Sequence, residues 1–197
     1  CVTRRQRQMC IRDRNNKINL ISRKDVENFE VNHLLHSSSV SKFIEFKKDT
    51  KILDLGTGGG LPGIPLSIFF PDSKFKLIDR KNKKINVLNE IIRKLGINNA
   101  SAQNIDIVDL NHSYDFIVNR AVTSADNLIK LCKGKIDYKG ENKIKNGIIC
   151  LKGGNLNSEL KNIDEFQIVE LKSFFSEQFF ETKKILYIPN PYNHTDS

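Results

Sequence analysis

The feature that most constrains this chain is an alternation of two hydrophobic periods. Short apolar runs, each ending in a polar residue, are followed by stretches with helical spacing. The first unit is Lys51–Leu66, "KILDLGTGGGLPGIPL". Its apolar run is too short for a helix and continuous enough for a strand covered on both faces. Five glycines then fall within residues 56–63, and Pro62 and Pro65 frame a helix start, where a missing N–H costs least. The same reading gives a helix over 62–70 and a strand over 75–78 that ends at Asp79. An amphipathic helix follows over 82–95, with Gly96 at its C′ position. Strands are expected at 101–104, 114–119 and 147–151, with a helix at 124–132 between the last two. Two further strands, 167–172 and 183–188, are expected as antiparallel neighbours. Strands alternating with helices imply βαβ units, a mostly parallel sheet with helices on both faces, and ligands at the carboxyl ends of the strands. Residues 15–49 are expected to form a small helical extension, with Val26, Phe29, Leu34, Val40, Phe43 and Ile44 at helical spacing and a break near Ser37–Ser39.

Composition enters through charge. The formal net charge is +9, which points to an anionic partner such as nucleic acid. Residues 1–14 supply four of those charges, with five Arg against one Asp, and the remainder carries 23 Lys and only four Arg. The break in usage at Asn15 marks 1–14 as a leader of doubtful origin; a basic arm for RNA is the alternative. The expected division is then leader 1–14, helical extension 15–49, main domain 50–189 and tail 190–197. No apolar run approaches the roughly 20 residues that span a bilayer, and no secretory signal is visible. Cys1, Cys10, Cys132 and Cys150 show no metal-ligand spacing, so a reduced, cytoplasmic protein with no metal is expected.

Three ligands compete for the glycine-rich turn. A phosphate-binding P-loop requires a Lys-Ser or Lys-Thr after the glycines, and none follows. Gly58, Gly60 and Gly63 fit the spacing of a dinucleotide fingerprint, but Asp54 lies beside the loop and would repel a pyrophosphate. S-adenosylmethionine carries no phosphate and two cationic groups, which suits an acid at that point, and glycines allow close approach. Asp79, ending the second strand, is placed to accept ribose hydroxyls. Asp106, after the third strand, is placed to reach an adenine amino group. Acids at strand ends also serve simply as helix caps.

The segments "LDLGTGGGLPGIPLSIFFP", "LIDRKNKKI", "FIVNRAV" and "LKGG" occur in this order, after "NKINLISRKDVENFEVNHLLHS" and before "FFSEQFFETKKILYI". Together they resemble the bacterial 16S ribosomal RNA guanine-527 N7-methyltransferases, once called glucose-inhibited division protein B, over about residues 15–189. The resemblance implies a class I methyltransferase Rossmann-like fold with a small N-terminal helical extension. It implies S-adenosylmethionine as cofactor, and 16S RNA or a small-subunit particle as partner; a monomer is expected. Cofactor contacts map onto Gly56 and Leu61 in the loop, Ile105 and Asp106 after the third strand, and Arg120 after the fourth; Asp79 matches the ribose acid of the wider superfamily. With Asp54, Gly58 and Gly60 these complete the candidate site. Asn104-Ile105-Asp106 stands where the family usually has Arg-Ala-Glu, and the basic leader stands in place of a further N-terminal helix.

Guanine N7 has a lone pair and no proton, so its methylation needs no general base and rests on proximity and electrostatics. No Asp/Asn-Pro-Pro-Tyr element follows the fourth strand, and Asn190–Tyr192 reads as a turn. Cys132 and Cys150 fall in helix and strand patterns and read as core residues rather than nucleophiles. Arg120 is the candidate catalytic residue, placed to meet cofactor, base or phosphate; a salt bridge to Asp54 or Asp106 is its structural alternative. His33 and His36 read as packed or capping residues, and His112 and His194 as solvated. The lysine groups 81/83/84, 133/135, 143/145 and 183/184 offer an electrostatic surface for RNA. Three rival readings remain at this point: a NAD-binding oxidoreductase, a non-catalytic RNA-binding protein of the same fold, and a small-molecule methyltransferase.

Overall fold

The structure, a computed structural model, describes residues 28–120 and 123–192. Seven strands form one sheet: β1 (Lys51–Leu55), β2 (Lys74–Asp79), β3 (Ala100–Asn104), β4 (Phe116–Arg120), β5 (Gly147–Gly153), β6 (Gln167–Glu170) and β7 (Lys183–Pro189). Their order is β3-β2-β1-β4-β5-β7-β6. The first five run parallel, whereas β7 lies antiparallel between β5 and β6. The expectation that the last two strands are antiparallel neighbours therefore holds, and β7 also completes the flank of β5.

Side chains alternate between two cores, as a strand period of two demands. Ile52, Phe116, Val118, Ile149 and Leu151 face one core. Leu53, Ile117, Ile148 and Cys150 face the other. The first core is covered by α1 (Gly63–Phe69), by α2 (Asn82–Leu95) through Ile85 and Leu88, and by Val40 and Ile44 of the N-terminal segment. The second is covered by α3 (Ala125–Cys132) and by Leu156, Leu160 and Ile163. The helix α2 ends as its sequence requires: Gly96 takes a left-handed conformation, and the N–H of Ile97 reaches back to the carbonyl of Ile92 at 3.1 Å.

Several boundaries move. The strand expected at 114–119 begins at Phe116, because Tyr114 bridges instead to Ile136. β5 continues past Leu151 through Lys152 and Gly153, carried by pairing with β7. The strand expected at 167–172 stops at Glu170 and turns into a single 3₁₀ turn, Leu171–Ser173. The expected N-terminal helix is π-helical over Glu30–Leu35, α-helical over His36–Ser38 and 3₁₀ over Ser39–Lys42. At the expected break near Ser37–Ser39 the helix tightens rather than stops. Ser38 and Ser39 hydroxyls donate to the carbonyls of Leu34 and His36 there. Residues 15–27, with Val26, the leader 1–14 and His194 lie outside the described residues.

Candidate functional site

The glycine-rich turn leaves β1 at the carboxyl edge of the sheet and is held from below by Asp54. That side chain is fully buried. Its Oδ2 accepts the Thr57 hydroxyl at 2.6 Å and the N–H of Gly63, the first residue of α1, at 2.8 Å. Oδ1 has no partner among the described residues. Gly63 is required for this approach, since a Cβ there would lie 2.6 Å from Asp54 Oδ2 and 2.8 Å from Leu77 Cγ. Gly60 has φ +87° and equally little room, a Cβ falling 2.6 Å from Ile64 Cγ1 and 2.8 Å from Leu88 Cδ2. Burial pushes the Asp54 carboxyl up to about 7; the Thr57 and Gly63 donors and the Arg120 charge oppose the shift, and Asp79 adds to it. Asp54 was expected to face a cationic ligand. The structure instead puts it beneath the loop, where it sets the loop's shape.

Asp79, at the end of β2, sits closer to the surface. Its Oδ2 accepts the N–H of Gly58 at 3.0 Å and lies 3.7 Å from Lys84 Nζ, while Oδ1 accepts the N–H of Lys81 at 2.9 Å. One carboxylate thus joins the glycine turn to the start of α2. Gly56 and Gly58 both take positive φ in that turn, and Leu61 is buried at its end. Ile105 packs against the second core just beyond β3. Asp106 caps the short 3₁₀ turn Ile107–Asp109 through the N–H of Val108 and lies 3.6 Å from Arg80. Because β1, β2 and β3 are neighbours in register, these acids share one edge of the sheet.

Arg120 is the last residue of β4, beside β1 on one side and β5 on the other. The salt bridge to Asp54 or Asp106, its structural alternative, is not formed among the described residues: Asp106 pairs with Arg80 and Asp54 with Thr57 and Gly63. Arg120 turns instead to the N-terminal segment. Its Nη2 lies 2.7 Å from His33 Nδ1 and its Nη1 donates to the carbonyl of Asn32 at 3.2 Å. A guanidinium has no lone pair to give, so His33 Nδ1 is the acceptor and the ring proton sits on Nε2.

This contact helps wall a cleft of about 660 Å³ between the N-terminal segment and the ends of β4, β5 and β7. Arg120, Lys152 and Lys183 bring positive charge to it, and Glu159 the one carboxylate among its lining residues. Lys183 Nζ stands 4.6 Å from the centre of the Phe179 ring. His36, also on the wall, packs edge-on against Phe179 and Phe180. Burial, with Arg120, Lys183 and His33 adding to it, depresses His36 to about 3, so the imidazole is neutral. The reading of His33 and His36 as packed residues is correct for burial and incomplete for place, since both border the cleft.

The two core cysteines behave as expected. Cys132 and Cys150 are fully buried, and burial raises both thiols, that of Cys150 to about 11. Asn119 is buried and donates to Cys150 Sγ, so its amide takes no part in the cleft. Asn190–Tyr192 forms a side-chain-closed turn: Asn190 Oδ1 accepts the N–H of Tyr192, whose hydroxyl reaches the carbonyl of Ile129. No helix among the described residues is long and apolar enough to cross a membrane.

Sequence reasoning missed Thr57, Asn32, Phe179, Thr123 and Glu159. Thr57 was open to discovery, lying three residues after an acid that must be satisfied if buried. The others come from distant stretches, and only the fold brings them to one edge.

A strand order of β3-β2-β1-β4-β5-β7-β6 with a glycine turn after β1, an acid one residue before the end of β1 and an acid ending β2 defines a class I methyltransferase fold. Solved structures agree. A SAM-dependent methyltransferase from Aquifex aeolicus superposes with a TM-score of 0.58 at 16% identity, covering 81% of this chain and 91% of its own. A SAM-dependent O-methyltransferase from Thermotoga maritima gives 0.59 at 12% identity, covering 80% and 66%. In sequence, residues 6–185 match the family described as rRNA small subunit methyltransferase G, and this chain belongs to that family. A ribosomal RNA small subunit methyltransferase G from Christiangramia forsetii is 46% identical over 92% of this chain and 86% of its own length. One from Bacteroides thetaiotaomicron is 45% identical over 89% and 85%.

Proposed function

We propose that this protein transfers a methyl group from S-adenosylmethionine to N7 of guanine 527 in 16S ribosomal RNA, acting in the cytoplasm as a monomer. The observation that carries this reading is the family match across residues 6–185. The acid-lined edge fits the cofactor: Asp79 and Asp106 offer carboxylate oxygens at adjacent strand ends, and the glycine turn leaves backbone within close reach. Gly56, Gly58, Gly60, Leu61, Asp79, Ile105 and Asp106 would hold it, with Asp54 shaping the loop from below. S-adenosylmethionine supplies the activated methyl group on its sulfonium.

The cleft beside Arg120 would take the acceptor nucleotide. Its cationic lining suits an RNA strand, and Phe179 adds an aromatic side chain to that lining. Guanine N7 has no proton to remove, and the wall presents neutral His36 rather than a strong base. Arg120, held by His33 and Asn32, is placed to orient the base through O6 or a phosphate. Family membership disfavours the NAD-dependent oxidoreductase.

Tritiated methyl transfer to small subunits from a strain lacking this modification tests the reading, followed by mapping of the labelled base. One methylated guanine, labelled at N7, is expected. RNA that is bound without label would instead identify a non-catalytic binding protein. Arg120→Ala is expected to abolish transfer while its circular dichroism and unfolding midpoint stay near wild type; near-normal turnover would remove Arg120 from the reaction.

A further inference from the structure

The cleft contains an ion pair that methyl transfer, as described, does not use. Lys152 Nζ, in β5, donates to Glu159 Oε2 at 2.7 Å and to the carbonyl of Thr123 at 2.8 Å. The same Glu159 oxygen accepts the N–H of Ala125 at 3.0 Å. Ala125 opens α3, and its N–H is one of the donors that a helix cannot satisfy internally. Ser124, at the N-cap, makes no side-chain cap bond, so Glu159 caps the helix from 34 residues away. The Lys152 side chain is 9% exposed, and a pair this sheltered is an uncertain source of stability, since desolvation offsets its attraction. What the three bonds do achieve is geometric. They fix the backbone at Thr123 and Ala125, a few residues after Arg120, against β5, the strand paired with β4.

We infer that Lys152 and Glu159 are positioning residues, whose joint grip on Thr123 and Ala125 sets the wall of the cleft and the place of Arg120 within it. The inference rests on the reading of this cleft as the acceptor site. A displacement of about 1 Å in such a wall lowers turnover far more than it lowers cofactor affinity.

The test uses the full chain with Lys152→Met, Glu159→Gln and the double variant, in which two neutral side chains replace the pair without leaving a buried charge alone. For each, kcat and KM with small subunits are measured beside the calorimetric Kd for S-adenosylhomocysteine. In the double variant kcat is expected to fall by about tenfold or more, with Kd within about twofold of wild type and the combined loss no greater than the larger single loss. A folded double variant with wild-type kcat overturns the inference, as does a parallel loss of cofactor affinity. Deuterium exchange at the Ala125 amide gives a readout independent of substrate: Glu159→Ala is expected to speed it by about tenfold or more. Unchanged protection there overturns the grip of Glu159 on Ala125 whatever the activity. A wild-type protein that labels no small subunits sinks the acceptor reading, while the Ala125 amide still decides whether Glu159 holds the start of α3.

Discussion

Replacing Asp54 with asparagine should remove a pH dependence of folding that is built into the glycine turn. Burial raises the Asp54 carboxyl from 3.8 to about 7, so the fold prefers its protonated form. The contribution is therefore complete below pH 3.8 and is lost as pH rises through about 7. At about 1.4 kcal/mol per pKa unit, the full effect is about 4 kcal/mol, of which more than half falls between about pH 5 and about pH 8. The geometry is compatible with a proton on Oδ1, since Oδ2 accepts both Thr57 and Gly63. An asparagine side chain in this place would keep an acceptor for those two donors and has no charge to desolvate. His36 works in the opposite sense. Lowered to about 3, it contributes fully above 6.5 and loses that contribution as pH falls through about 3. It is present in both proteins, so it cancels in their difference. Urea unfolding of wild type and Asp54→Asn at both pH values is the assay. The stability of the variant relative to wild type should improve by about 2–3 kcal/mol on going from the acidic to the basic condition. A difference that does not change with pH would refute the argument that Asp54 is a carboxyl held near neutrality by burial.

Asp79→Ala should weaken S-adenosylhomocysteine binding by about tenfold or more in calorimetry, equivalent to about 1.4 kcal/mol, and unchanged affinity would take Asp79 out of the cofactor site. Gly63→Ala should cost about 1–3 kcal/mol in urea unfolding, because the new methyl collides with Asp54 and Leu77; a wild-type midpoint would mean that α1 can shift freely. Cys132 and Cys150 should stay unmodified by iodoacetamide at about pH 8 in the native protein and react once it is denatured, as peptide mass spectrometry would show. Alkylation of either under native conditions would contradict their burial.

The parts of the fold legible in the sequence are those set by local chemistry. β1, α2 with Gly96, and β4 announce themselves through apolar period and caps, and the structure moves their ends by two residues at most. The pattern at 101–104 is weak, and only pairing with β2 makes Ala100–Asn104 a strand. The strand expected at 147–151 runs on through Lys152 and Gly153 because β7 pairs beside them, which nothing in "LKGG" reveals. The acids at the strand ends were likewise visible, but their depth was not: Asp54 and Asp79 look alike in sequence, and only the fold buries one and leaves the other near the surface. Arg120 was singled out by its rarity and position, while its partners, Asn32 and His33, lie nearly ninety residues earlier. Contacts at that separation depend on how the N-terminal segment crosses the sheet, which no local pattern encodes.

The insertion of β7 between β5 and β6 has a consequence for biosynthesis. During translation β5 and β6 emerge before the strand that joins them, so until that strand has left the exit tunnel the two have no shared hydrogen-bonding partner. Lys183, which borders the cleft, arrives on that same late strand. A nascent chain halted before it would present the apolar flank of β5 to its surroundings, and the cleft would lack one of its cations.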